Sequence, residues 1–256
     1  MTKTNKQSYF ASEQKKLRDE LESELEMIKA ISNTLINNPR VLKKEIINIY
    51  TSLDASLDVY LLAKILNLAI ECHKGQCRES GDPYIVHPFQ VGFVLTKIGA
   101  DLETIASGLL HDSIEENYEK KSRIINYFYT SLRQDLFVHS ILKNVWALTE
   151  DEIENPFLKY SLMAKRIQEA STTDPKKSVA AIRVSDRLTN LLSLEYLSSK
   201  HGSSAAQRKS KIIEDTKRHI LPIVNEIDET YKPELKLYPY VAYLLQQKSY
   251  RNVGRA

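Results

Sequence analysis

Apolar positions along this chain return every three or four residues, segment after segment, which is the period of a helix that buries one face. Leu17, Leu21, Leu25, Ile28, Ile31 and Leu35 predict a long amphipathic helix over 11–36, ended by Asn37-Asn38-Pro39. A short helix over 40–51 follows, then a strongly apolar one over 58–72. The run from Lys74 to Tyr84 breaks the rhythm: it is polar and irregular, and Gly81 and Asp82-Pro83 supply turn chemistry. Periodicity resumes at His87-Pro88 and continues to about Ile98, with Pro88 suited to a first helical turn. Asp101 is a good N-cap for the next helix, whose buried face is Leu102, Ile105, Ala106, Leu109 and Leu110. Further helices are expected over 121–150, 157–171 and 176–199, with an acidic loop over 150–157 and Asp174-Pro175 as breaks. After a polar break over 198–204, one long helix over 205–230 is expected to kink or restart at Pro222. The tail over 231–256 is expected to carry one more short helix near 241–247. No segment alternates convincingly with a period of two, so helices dominate the expected fold.

Composition narrows this picture without changing it. A chain of 256 residues suits one sizeable domain, or a domain with an extension, and is long enough to bury a real core. Its 7 glycines leave no material for a Gly-rich phosphate loop. A formal charge of +3 is too small to indicate nucleic-acid binding. The polar N-terminus has no signal-like apolar core and no run is long enough to span a membrane, so a cytoplasmic protein is expected, with Cys72 and Cys77 as reduced thiols. The stripe of the first helix suits a partner chain, and hence a homo-oligomer, although such stripes more often pack on their own domain.

Candidate chemistry starts at His111-Asp112, an imidazole and a carboxylate side by side at the end of an apolar helix. Asp186, Asn190 and Ser193 are spaced i, i+4, i+7 in a second largely apolar helix and share one face. Aspartates in such helices are costly to bury unless paired or metal-bound. With His87 they make a His-His-Asp-Asp set: His87, His111, Asp112 and Asp186. Imidazole with carboxylate suits Mn, Fe, Zn or Co better than Ca. Such a metal would polarise a phosphoryl oxygen and acidify a water. Glu115 lies one turn past His111, and it or Glu116 is placed to handle that water. Arg78 and Lys74, in the loop before His87, suit an anionic, phosphorylated substrate. A purely structural reading instead pairs His111 with Asp112 and Asp186 with Arg183 or Arg187; it accounts for each residue singly but poorly for all four together.

These residues stand in runs that resemble Rel/SpoT-type hydrolases. The run from His73 to Pro88 resembles that family's H-x-G-Q-x-R-x-S-G-E-P-Y-x-x-H-P motif. Leu109 to Glu116 resembles L-L-H-D-x-x-E-D, and Ile182 to Asn190 resembles I-K-L-A-D-R-L-H-N. Glu214-Asp215-Thr216, with Pro222 beyond, is similar to the family's closing helix, and the likeness covers roughly 58–225. The resemblance implies an all-α HD-domain helical bundle over 58–230, with a helical N-terminal extension over 1–57 and a tail over 231–256 that packs on the domain. It implies hydrolysis of the 3′-pyrophosphate of ppGpp and pppGpp to GDP or GTP and pyrophosphate, with one manganese ion as cofactor. It implies His87, His111, Asp112 and Asp186 as ligands and Glu115 and Glu116 in water activation. Arg78, Ser80, Asn190 and Ser193 match positions lining the nucleotide pocket, with Tyr84 and Lys74 added as candidates.

The chain departs from the pattern at four positions. Glu116 replaces an aspartate, Glu79 stands where a basic residue is common, Thr189 replaces a histidine and Ser193 a threonine. The length leaves no room for a synthetase domain after the hydrolase segment, so the chain resembles a small alarmone hydrolase. Alternative readings keep the site but take adenosine alarmones, or the 2′-phosphate of NADPH, or make the chain a catalytically weak, antitoxin-like regulatory module.

Overall fold

The computed structural model describes residues 3–133, 135–149, 156–198 and 204–253. The expected acidic loop over 150–157 and polar break over 198–204 fall largely outside the described residues. In chain order the helices are α1 (Lys3–Leu35), α2 (Pro39–Leu53), α3 (Val59–Cys72), α4 (Val86–Lys97), α5 (Leu102–Leu110), α6 (Lys121–Leu132), α7 (Asp135–Leu148), α8 (Pro156–Thr173), α9 (Ser178–Leu192), α10 (Ala205–Asp215), α11 (Leu221–Tyr231) and α12 (Leu237–Val253). Among the described residues, extended pairing is confined to one isolated bridge between Cys77 and Pro83. None of the described helices is long and apolar enough to cross a membrane.

The boundaries differ from the sequence reading where apolar periodicity is silent. α1 begins at Lys3 rather than near 11, because residues 3–8 are polar and show no stripe, yet no Pro or Gly interrupts 3–10. α9 ends at Leu192, and a short 3₁₀ turn, Leu194–Tyr196, replaces its expected last turns. The expected restart at Pro222 is present: a wider π-turn, Thr216–Ile220, separates α10 from α11. Proline has no N–H to donate there and its ring crowds the carbonyl four residues back, so the preceding turn loosens. α12 spans Leu237–Val253 rather than a short stretch near 241–247. Its start is held by buried Asp228 of α11, whose carboxylate accepts from the Leu237 and Tyr238 amides at 2.8 and 3.0 Å.

One continuous core runs from Leu21 to Leu245. At its centre α4 packs on both α5 and α9. Gly92 and Gly108 allow the α4–α5 approach: a Cβ on Gly92 would lie 2.5 Å from the Tyr50 hydroxyl and 2.9 Å from Leu109, and one on Gly108 would collide with Leu95. The stripe of α1 is consumed within the chain, with Leu21, Leu25 and Ile28 buried and α1 lying along α4 and α2. Polar ties hold it in register: Gln90 donates to the Leu25 carbonyl at 3.0 Å, Lys97 pairs with Glu24 at 2.8 Å, and the Tyr240 hydroxyl reaches Glu22 at 2.9 Å. The surface on which a homo-oligomer was expected is therefore largely covered.

Candidate metal centre

Three helices bring the four candidate ligands together. His87 is the second residue of α4, Asp186 sits in the middle of α9, and His111 caps the C-terminal end of α5, with Asp112 in the turn that follows. The tight α4–α5 packing sets the two imidazole centroids 5.2 Å apart. His111 Nε2 lies 3.0 Å from Asp112 Oδ1 and 3.9 Å from Asp186 Oδ1. His87 Nε2 lies 3.2 Å from Asp186 Oδ1 and 3.6 Å from Asp112 Oδ2. The ligand atoms of His87, His111 and Asp112 all fall within 4.8 Å of one another.

The surroundings suit a cation at this point. The far nitrogen of each ring is occupied: His111 Nδ1 donates to the Gly108 carbonyl at 2.8 Å, and His87 Nδ1 lies 3.1 Å from the Thr189 hydroxyl. That hydroxyl itself donates to the Asp186 carbonyl at 2.9 Å, so it accepts from His87 Nδ1. Both Nε2 lone pairs are thereby turned toward the carboxylates, the arrangement that second-sphere partners impose on metal-ligating imidazoles. His111 Nε2 is buried against the Asp112 carboxylate. Without a metal, a proton takes the cation's place. Burial works against the His111 imidazolium, but Asp112 and then Asp186 outweigh it and push its pKa up to about 9. Burial and the Arg78 guanidinium together lower His87 to about 4. Burial opposes ionisation of Asp112 and Asp186 as well, yet the imidazoles, joined at Asp186 by Arg183, hold both carboxyls well below the usual range. The Arg183 pairing of the structural reading exists, at 2.9 Å, but it takes Asp186 Oδ2 and leaves Oδ1 facing the rings.

The loop before α4 overhangs this cluster. Arg78 Nη2 donates to Asn190 Oδ1 at 2.7 Å, and Asn190 Nδ2 donates to Asp186 Oδ1 at 2.5 Å, so a loop cation is tied to a candidate ligand through one amide. The Tyr84 hydroxyl lies 2.8 Å from Asp112 Oδ2 and 3.1 Å from Glu116 Oε1 and shares its proton between them. Burial and both carboxylates raise its pKa, which keeps it a donor. Glu116 is exposed; half-buried Glu115 opens a 3₁₀ turn, Glu115–Lys120, that is kinked at Asn117. Three other candidates lie apart from these contacts. The Ser80 hydroxyl donates to Asp82 at 2.7 Å, the Ser193 hydroxyl is bonded to its own helix at the Thr189 carbonyl, and Lys74 faces Glu71 at 3.9 Å in solvent.

Several further residues support the cluster. His73 stacks on Tyr84 with centroids 4.8 Å apart and contacts Gln76 at 2.8 Å. Asn117 donates to the Cys72 and Ser113 carbonyls, locking the turn after His111 to the end of α3. Thr189 had a signal, its i+3 spacing from Asp186, but its partner is on another helix. Glu79 is paired with Arg208 through two bonds of 2.7 and 2.9 Å and accepts from the Ser198 amide at 2.9 Å. Arg208 holds the Glu79 carboxyl at about 2, so the unusual acid at this position is an anchor between the loop and α10.

Comparison with known proteins places this geometry in context. The model of the HD domain family matches residues 66–214. A guanosine-3′,5′-bis(diphosphate) 3′-pyrophosphohydrolase of Borreliella burgdorferi is 28% identical over 214 residues, covering 81% of this chain and 29% of that protein. A GTP pyrophosphokinase of Streptomyces antibioticus is 33% identical over 138 residues, 53% of this chain and 15% of its own length. A GTP pyrophosphokinase of Myxococcus xanthus is 25% identical over 194 residues, 72% of this chain and 22% of its own length. The chain thus spans less than a third of the length of each of these relatives.

Proposed function

The chain belongs to the HD domain family, and from that premise we propose that it is a metal-dependent pyrophosphohydrolase that removes the 3′-pyrophosphate of ppGpp and pppGpp. The observation that carries this reading is the meeting of His87, His111, Asp112 and Asp186 beneath a loop whose Arg78 reaches Asn190. Two imidazoles and two carboxylates would hold a divalent ion, for which we propose manganese, and a metal there supplies Lewis-acid polarisation of a phosphoryl oxygen and lowers the pKa of a water. The names of its relatives support a guanosine 3′,5′-bis(diphosphate) as the substrate class.

The protein's own groups do the remaining work. Glu116, with Glu115 beside it, accepts a proton from the water that attacks the phosphorus of the 3′-diphosphate. The Tyr84 hydroxyl holds Glu116 against Asp112 and keeps the acceptor near the reacting atoms. A bond forms from water oxygen to phosphorus, the bond from phosphorus to the ribose 3′-oxygen breaks, and that oxygen leaves as a hydroxyl by taking a proton from solvent while Glu116 carries the water's proton. The products are GDP or GTP and pyrophosphate. Arg78 binds the nucleotide's anionic groups, and Asn190 fixes that guanidinium relative to Asp186.

The test is a substrate panel of ppGpp, pppGpp, ppApp and NADPH with added manganese, the products resolved by chromatography. Release of GDP and pyrophosphate from ppGpp in preference to the other substrates is expected. Absence of any turnover with metal still bound would replace this reading with that of a regulatory module.

A further inference from the structure

The loop that presents Arg78 is tied from within by the Ser80 hydroxyl on Asp82 and the Tyr84 N–H on the Gln76 carbonyl, and on one side by Glu79 to Arg208. Its turn is closed by two backbone bonds of 2.9 Å, Arg78 N–H to the Asp82 carbonyl and Gly81 N–H to the Arg78 carbonyl, and Gly81 is left-handed with φ 85°. The carboxylate at the base of that turn, Asp82, accepts from Ser80 within the turn and is gripped from outside as well. Asn33 Nδ2 donates to Asp82 Oδ1 at 3.0 Å, and Lys29 Nζ lies 3.3 Å from Asp82 Oδ2. Lys29 and Asn33 are one turn apart on α1, and their neighbours Ile28 and Ser32 are fully buried, so this face of α1 is fixed toward the loop. Lys29 also lies 4.9 Å from the ring centroid of Tyr196, in the 3₁₀ turn just beyond Asn190 and Ser193. One side chain thus spans both rims of the candidate nucleotide site. From it a chain of direct contacts leads inward: Lys29 and Asn33 to Asp82, the turn to Arg78, Arg78 to Asn190, Asn190 to Asp186.

We propose that α1 is a working part of the nucleotide site, in which Lys29 and Asn33 are positioning residues that hold Asp82, and through it Arg78, in the substrate-binding conformation. This rests on the proposed alarmone hydrolysis for its kinetic consequence but not for its structural one. α1 lies outside the residues matched by the HD domain family, so the anchor comes from a part of the chain which that likeness does not describe. An arginine whose backbone is held loses little further freedom on binding an anion; one on a free turn loses more, and affinity falls while the chemical step is untouched.

The experiment compares the full chain with a Lys29→Ala/Asn33→Ala variant and with Lys29→Arg. In the double variant, amide hydrogen exchange across residues 78–84 is expected to quicken and KM for ppGpp to rise roughly tenfold, with kcat and manganese affinity within about twofold of the parent. Lys29→Arg, which keeps the charge and leaves Asn33 in place, should stay close to the parent in both. Unchanged exchange over 78–84, or unchanged KM in an active enzyme, would overturn the proposal. So would faster exchange throughout the molecule with a parallel fall in kcat, because that marks general destabilisation. If the parent itself does not turn over ppGpp, the functional reading fails, and the exchange over 78–84 still decides whether α1 holds the loop.

Discussion

Single atoms decide most of the chemistry proposed for this site. Replacing His111 or Asp186 with alanine removes a donor from a set of four and leaves buried partners uncompensated. Both metal binding, read by titration calorimetry, and turnover should be lost; normal turnover by either variant would overturn the ligand assignment. Thr189 acts one shell further out, since its hydroxyl accepts from His87 Nδ1 and so fixes the tautomer that turns Nε2 inward. Thr189→Ala is expected to weaken metal affinity by about 10- to 100-fold, with the melting temperature little changed. Glu116 is one methylene longer than the aspartate of the motif it resembles, and its exposed side chain reaches the Tyr84 hydroxyl. Glu116→Asp should keep turnover within about threefold, whereas Glu116→Ala should lose roughly a hundredfold or more. Steady-state kinetics on the two variants separates a tolerant carboxylate from a geometry particular to glutamate. The residue types of the candidate site were legible in the sequence because buried acids on apolar helices need a paired charge or a cation. The supports at His73, Asn117 and Thr189 were not, because each bonds a group on another element.

At the scale of elements, the site depends on how closely α4 approaches α5. His87 and His111 stand on different helices, and their rings come within 5.2 Å because Gly92 and Gly108 leave no side chain between the two backbones. Gly92→Ala would press a methyl group onto the Tyr50 hydroxyl, which donates to the Phe89 carbonyl at 2.6 Å, and onto Leu109. It should cost about 1–3 kcal/mol, seen as a drop of several degrees in thermal melting, and should weaken metal binding by spreading the histidines. Helix identities followed from periodicity alone. Helix ends did not, since the caps are set by partners at a distance, as where Asp228 of α11 starts α12. The interruption before Pro222 was legible because proline's missing N–H is a local fact.

For the molecule as a whole, α1 belongs to the core. Leu21, Leu25 and Ile28 are buried against the rest of the chain. At about 1.5–3 kcal/mol for each such side chain, their loss would remove roughly 5–9 kcal/mol, comparable with the ~5–15 kcal/mol total stability of a domain. A chain lacking residues 1–36 should therefore show no cooperative melt by circular dichroism, and a melt within a few degrees of the parent would refute this. The amino-acid sequence by itself determined the all-α class, the order of most helices, the apolar faces and the residue types of the candidate metal set, because helical period and the cost of burying charge act over a few residues. Tertiary structure alone decided that the stripe of α1 turns inward, that Glu79 anchors to Arg208, and that Asp82 is held by Lys29 and Asn33. Those pairings join residues tens to over a hundred positions apart, and only packing determines which side chains meet across such a distance.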